Sequence, residues 1–204
     1  MHISWLGTTA VRIQTKNEGN DVNIVIDPYK PKVGDFPRSL TPQIALFTRG
    51  QEDSITLSGE PFVLDTPGEC DTKGVLVSAV EGHGENDVMF RIDLEQMSIG
   101  HLGLVSKFPV QKQKDLLSDV DVLLIPVGHP DAYDPEKAMK LINELGPRIV
   151  IPIAFKSKND PKADGVEKFV KAMGMSADKL EKKAIIKKKD LPQEDTQLII
   201  LAKE

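Results

Sequence analysis

Only one of the 204 residues is a cysteine, Cys70, so no internal disulfide is available and nothing points to an oxidising compartment. No apolar run approaches the roughly 18–20 residues that span a bilayer. The chain opens on a strand pattern instead of a basic stretch followed by an apolar h-region, so no signal peptide is expected. These absences set the expectation of a cytoplasmic protein with no membrane partner. Positive charge is also short: 26 Lys and Arg against 31 Asp and Glu leave a formal net charge of −5. Nucleic-acid affinity is largely phosphate neutralisation by Lys and Arg, so a nucleic-acid partner is not expected. The densest basic stretch, Lys182, Lys183, Lys187, Lys188 and Lys189, has no aromatic platform interleaved with it. It reads as a solvated face in preference to an RNA contact.

What is present suits one compact domain over residues 1–204, large enough to bury a core and ordinary in composition at 40% hydrophobic and 28% charged. Short β-rich runs fill the first half, near 2–6, 10–15, 22–27, 44–48, 61–65, 74–80, 87–93 and 97–102, separated by Gly, Pro, Asn and Asp clusters. The second half alternates: helices near 109–118, 135–145 and 165–174 flank apolar runs at 121–127 and 148–153, and a last strand fits 196–202. The clearest helix starts at Asp134-Pro135-Glu136, where Asp can cap exposed N–H groups and Pro fits the first helical position. Ala138, Leu141, Ile142 and Leu145 share one of its faces, and Gly146-Pro147 ends it. Two strand-rich halves with helices packed outside make an α/β architecture, a four-layer αβ/βα sandwich.

Several segments, in order, resemble one family over essentially the whole chain. They are Ile3-Ser4-Trp5-Leu6-Gly7, Ile24-Val25-Ile26-Asp27-Pro28, Pro67-Gly68-Glu69 and Lys73-Gly74-Val75, then Ile99-Gly100-His101-Leu102-Gly103, Asp121 to Gly128, and Ile149-Val150-Ile151-Pro152-Ile153. The match is to the small, UlaG-like metal-dependent hydrolases of the metallo-β-lactamase superfamily, which implies the same sandwich. That family carries T-H-x-H-x-D-H after the strand that corresponds to Ile44-Ala45-Leu46-Phe47. Here the run is Thr48-Arg49-Gly50-Gln51-Glu52-Asp53-Ser54. The resemblance thus puts the first two histidines on Arg49 and Gln51, the aspartate on Asp53 and the last histidine of the run on Ser54. A later histidine corresponds to His83, the bridging aspartate to Leu104 and the final histidine to Ala154.

A hydrolytic zinc site needs about three protein ligands and an open position for the activated water. Asp53 and His83 alone do not make one. The resemblance therefore implies a hydrolase scaffold whose ligand set is lost, with zinc or manganese no longer bound and no cofactor in its place. Arg49 is expected to pair with Asp53, and with Glu69 nearby, a guanidinium standing in for the cation; the alternative is a solvated loop. His83 is either a pocket residue or a loop histidine, Thr8 and Glu69 can line the pocket, and His129 follows a strand where a ligand could be presented. His101, in an apolar segment, reads as a hydrogen-bonded structural residue, and Cys70 as an incidental thiol.

The expected function is a non-catalytic module that binds a small molecule or a protein, with a homo-oligomer possible through exposed edge strands. The alternative is a divergent metal-dependent hydrolase that gathers a substitute set from Asp53, His83, His129 and Cys70. That alternative requires these side chains to converge.

Overall fold

The computed structural model describes residues 1–38, 40–175 and 180–204. The first half consists of β1 (His2–Gly7), β2 (Ala10–Asn17), β3 (Asn20–Ile26), β4 (Ile44–Leu46), β5 (Phe62–Leu64), β6 (Gly68–Thr72), β7 (Val75–Glu81), β8 (Val88–Leu94) and β9 (Met97–His101). It continues through α1 (Gln111–Leu117), β10 (Val122–Pro126), α2 (Pro135–Leu145), β11 (Ile149–Ile153) and α3 (Glu167–Ala172). Four short strands close it: β12 (Leu180–Glu181), β13 (Ala184–Ile185), β14 (Gln197–Leu198) and β15 (Ile200–Leu201).

These strands form two sheets, in the orders β13-β1-β2-β3-β4-β5 and β14-β11-β10-β9-β8-β7-β6, with β12 and β15 paired separately. Residue pattern follows position. In β8 the alternation of Phe90, Ile92 and Leu94 with half-buried Arg91 and Asp93 marks a strand with one face on the core. β10 and β11 run parallel to each other and are buried along their whole length. Strands covered on both faces read as continuous apolar runs, as Val122–Ile125 and Ile149–Ile153 do. The main core draws on both sheets, with Ile3, Trp5, Ile13 and Ile24 from the first meeting Val77, Phe90, Ile92 and Ile99 from the second.

Helix α2 forms as its sequence dictates. The Asp134 carboxylate accepts a hydrogen bond from the Lys137 amide at 2.9 Å, Pro135 follows, and Gly146 closes the helix in the left-handed region at φ 64°. Ala138, Leu141, Ile142 and Leu145 are its buried stripe; each large apolar side chain there contributes roughly 1.5–3 kcal/mol on burial. Helix α1 lies over β7 and β8. Its start is tied down by Gln113, almost fully buried, whose side-chain oxygen accepts from the Val110 amide (2.9 Å) and whose side-chain nitrogen donates to the Glu81 carbonyl (2.7 Å).

The outer face of the first sheet is closed differently. Leu6, Ala10 and Val25 pack under Leu40, with Tyr29, Phe36, Ile55 and Leu57 against them, all from irregular chain between β3 and β5. Parallel neighbours such as β4 and β5 are usually joined through a helix; here, among the described residues, residues 47–61 cross without one. No helix among the described residues is long and apolar enough to cross a membrane.

Candidate functional site

The strand ends that meet beyond β4 and β9 are organised around Thr48. The expected strand over 44–48 stops at Leu46 because the backbone turns to meet Asp27. One Asp27 carboxylate oxygen accepts the Thr48 amide and the other accepts the Thr48 hydroxyl, each at 2.6 Å. The Thr48 carbonyl in turn accepts the Val88 amide at 2.8 Å, which ties the first sheet to the second. Gly103, at φ +72°, presses on the same side chain: a Cβ placed there would lie 3.0 Å from Thr48 Cβ.

His101 is fully buried beside this staple. Its Nδ1 accepts the Gly103 amide at 3.0 Å, so Nδ1 carries no proton, and its Nε2 donates to the Thr9 carbonyl at 3.0 Å. Burial pushes its pKa down, against smaller upward contributions from the Asp27 charge and the Thr9 carbonyl. This is the hydrogen-bonded structural histidine expected from its apolar segment.

Of the positions that the family resemblance singles out, Arg49, His83 and Leu104 come together. With Thr48, Asp87 and Gly103 among their neighbours they line a cavity of about 10 Å³. A cavity of that size holds roughly one water. His83 Nε2 is buried, and among the described residues it has no hydrogen-bond partner.

The other positions lie outside it. Gln51 donates from its side-chain amide to Asp65 at 2.6 Å, and the Ser54 hydroxyl donates to the Gln51 carbonyl at 2.7 Å. The expected Arg49–Asp53 pair is not formed: both side chains are exposed and their charged atoms are not within 4.0 Å. The reason is the turn itself. The Ser54 amide bonds back to the Gln51 carbonyl, and the Asp53 carbonyl accepts the Lys30 amide at 2.8 Å, so residues 53–54 lean on the chain after β3 while Arg49 lines the cavity with His83. Glu69 is exposed and accepts the Ser78 hydroxyl at 3.2 Å instead of meeting Arg49.

Ala154 is fully buried at φ 58°, and its amide donates to the Thr8 carbonyl at 2.8 Å, a carbonyl that also accepts Trp5 Nε1 at 2.9 Å. His129 sits between Asp131 and Asp160, 3.7 Å from a carboxylate oxygen of each. The Asp131 amide donates to His129 Nδ1 at 3.1 Å, which places the proton of the neutral ring on Nε2. Cys70 is a free, half-buried thiol on the edge strand β6. Among the described residues, no three His, Cys, Asp or Glu side chains gather closely enough to hold a metal ion, so Asp53, His83, His129 and Cys70 do not converge.

Asp27, Tyr29 and Asn159 were not singled out from the sequence, although Asp27 stands in a segment that carries the resemblance. Asn159 donates to the Tyr29 hydroxyl at 2.7 Å across 130 residues. Burial raises the Tyr29 pKa, outweighing hydrogen bonds to Thr8 and Asn159, with the Asp160 charge adding to the rise. Such pairings depend on long-range packing and leave no local signal.

Two facing sheets with helices packed outside the second, joined at their strand ends by the segments just described, define the metallo-β-lactamase fold. The chain belongs to the beta-lactamase superfamily domain family, whose model matches residues 2–154. It is similar to a metal-dependent hydrolase of Methanopyrus kandleri, 21% identical over an alignment 197 positions long, with 76% of this chain and 84% of that one covered. A crystal structure from Thermotoga maritima, assigned to the metallo-β-lactamase superfamily, superposes with a TM-score of 0.79 at 24% identity over 98% of both chains. A metallo hydrolase from the archaeon Ignicoccus hospitalis superposes with a TM-score of 0.64 at 14% identity, covering 91% of this chain and 99% of its own.

A metal of the kind these relatives' names imply does not fit the donor set present here. Among the described residues that line the cavity, His83 offers one imidazole and Asp87 one carboxylate, which already accepts the Gly84 amide; Arg49 carries a permanent cation and Leu104 an apolar side chain. Ala154 has no donor atom beyond its backbone. Zinc sites take three or four Cys, His or carboxylate ligands at about 2.0–2.3 Å.

Proposed function

We propose that this chain is a catalytically degenerate member of its family, a binding module for a small molecule or a protein and not a hydrolase. The observation that carries the loss of hydrolysis is the cavity of about 10 Å³ between Arg49, His83 and Leu104, which is also too small for a ligand, so binding would use another face. Substrate pockets for small molecules are typically about 300–1,000 Å³, and a metal-activated nucleophile needs an open coordination position beside its ligands. One imidazole from His83, one carboxylate from Asp87 and the isobutyl group of Leu104 around the volume of a single water supply neither. Fold and activity separate readily, because packing keeps the scaffold while chemistry depends on a few side chains. The alternative, a divergent hydrolase with substitute ligands, draws support from the relatives' names, but the set it needs is dispersed among the described residues.

Calorimetric titration of the apo protein with zinc and with manganese tests the proposal. The expected result is no saturable binding by either ion. Saturable binding near one ion per chain, lost on His83→Ala, would overturn it.

A further inference from the structure

The two edges of the six-stranded sheet carry opposite charge. One edge is β5, exposing Phe62 (37%) and Val63 (39%). Glu60 and Asp65 flank it, and the chain continues with Glu69 and Asp71 on β6, the edge strand of the other sheet, with no Lys or Arg over residues 60–71. Among the described residues, none of these four carboxylates is in an ion pair. The other edge is β13, exposing Ile185 (58%) inside the stretch Lys182 to Lys189. Of the five lysines in that stretch, Lys188 lies 3.5 Å from Asp121; the other four are in no ion pair among the described residues.

Strand direction makes these edges complementary. β13 is antiparallel to β1, β1 to β2 and β2 to β3, whereas β3, β4 and β5 run parallel. β5 therefore runs with β1, and β13 runs against it. If a second copy continues the sheet in the same orientation, its β13 meets β5 antiparallel, the commoner and slightly more stable pairing. Faces match as well. Val63 is in register with Ala45, and Ile185 with His2, on the face turned away from the second sheet, while Leu64 and Ala184 are in register with Leu46 and Ile3 of the main core. The joined copies would set exposed Val63 beside exposed Ile185 and continue the buried face with Leu64 and Ala184.

We propose that copies of this chain join head to tail, β5 of one to β13 of the next, and so extend the six-stranded sheet. Like-charge repulsion opposes pairing of β5 with β5 or of β13 with β13, which is how charged residues commonly protect sheet edges. The same charges favour the mixed join. Such an interface is heterologous, so assembly is open-ended instead of stopping at a two-fold dimer. Each ladder is only two or three residues long, so the join is weak and strongly screened by salt. The inference does not depend on whether the cavity at His83 has any activity.

Sedimentation velocity on the full-length chain tests it, over a range of protein concentration at about 0.01 M and about 1 M salt, where the screening length is about 30 Å and about 3 Å. The expected result is a mean mass that climbs continuously with concentration at low salt, with the association constant falling by about tenfold or more at high salt. Val63→Lys and Ile185→Glu change exposed side chains, so both variants should fold, which thermal melting checks. Each alone should be monomeric, because one edge of every copy is blocked. Mixed, they should assemble again, because the unaltered β5 of one variant meets the unaltered β13 of the other, and at the second join the lysine introduced at position 63 stands beside the glutamate introduced at position 185; Lys182→Glu with Lys183→Glu should be monomeric alone, as Ile185→Glu is. A wild-type chain that stays monomeric at low salt, variants that assemble like wild type, or a mixture that stays monomeric would each overturn the proposal. A monomeric wild type that binds an alternating Lys-Val peptide would replace the second copy with a foreign basic strand.

Discussion

Replacing Thr48 by valine keeps the side chain's shape and removes only the hydroxyl that donates to Asp27 at 2.6 Å. The Thr48 amide still donates to the other Asp27 oxygen, also at 2.6 Å, so the turn survives but one carboxylate oxygen loses its partner. Thr48 is 1% exposed, so water does not reach the vacated position freely. A hydrogen bond to a charged group in such a setting contributes about 1.5–3 kcal/mol. For a chain of this size each kcal/mol moves the melting temperature by about 2–4 °C, which puts the drop for Thr48→Val at about 3–12 °C. Differential scanning calorimetry at pH 7.5 measures it, with Thr66→Val, at an exposed position, as the control that should barely move. If Thr48→Val melts within about 1 °C of wild type, the Asp27–Thr48 staple does not stabilise the strand ends as argued.

His101 predicts a pH dependence. Its folded pKa lies below the ordinary value of 6.5, chiefly because it is buried. The unfolded chain therefore takes up a proton before the folded one does. Stability from this residue is complete above about pH 6.5 and is lost as pH falls towards the folded pKa, with a slope of at most about 1.4 kcal/mol per pH unit. Urea unfolding at pH 7.5, 6.5 and 5.5 should show that fall, and His101→Gln should flatten it. Gly103→Ala combines positive φ with a Cβ 3.0 Å from Thr48 Cβ, so chemical unfolding should show a loss of about 1–3 kcal/mol or more. Leu141→Ala empties a fully buried site on α2 and should cost about 2–5 kcal/mol in the same assay. Arg49→Ala changes an exposed side chain that is in no ion pair among the described residues and should alter stability by less than about 0.5 kcal/mol.

Elements with local chemistry were legible in the sequence. Helix α2 runs over the expected 135–145 because its cap, its proline, its apolar face and its terminal glycine all act within a dozen residues. β10 and β11 were legible because a buried parallel strand is apolar throughout. The strands missed were edges. β6, Gly-Glu-Cys-Asp-Thr, is largely exposed on both faces and shows no alternation of apolar residues, and β13 has only two residues. The expected strand over 196–202 divides at Ile199: β14 joins β11 and β15 joins β12, a switch of partners that no local pattern encodes.

The candidate site was half legible for a related reason. Which residue types stand at Arg49, Gln51, Leu104 and Ala154 is a matter of sequence. Where they point is decided by contacts distant along the chain. Asp27 pulls Thr48 across 21 residues and ends β4 early. Lys30 holds Asp53 by its carbonyl, which separates Asp53 from Arg49, while Arg49 lines the cavity with His83. The expected ion pair failed because charge complementarity in a short loop does not outweigh the backbone hydrogen bonds that fix the loop's path.

The central claim, that the strand ends carry a scaffold without its metal chemistry, is tested most directly by native mass spectrometry of untagged protein purified without chelators. The expected result is the mass of the bare polypeptide, with zinc and manganese far below one ion per chain. A species carrying one or two tightly held ions, retained on dilution and lost on His83→Ala, would contradict it.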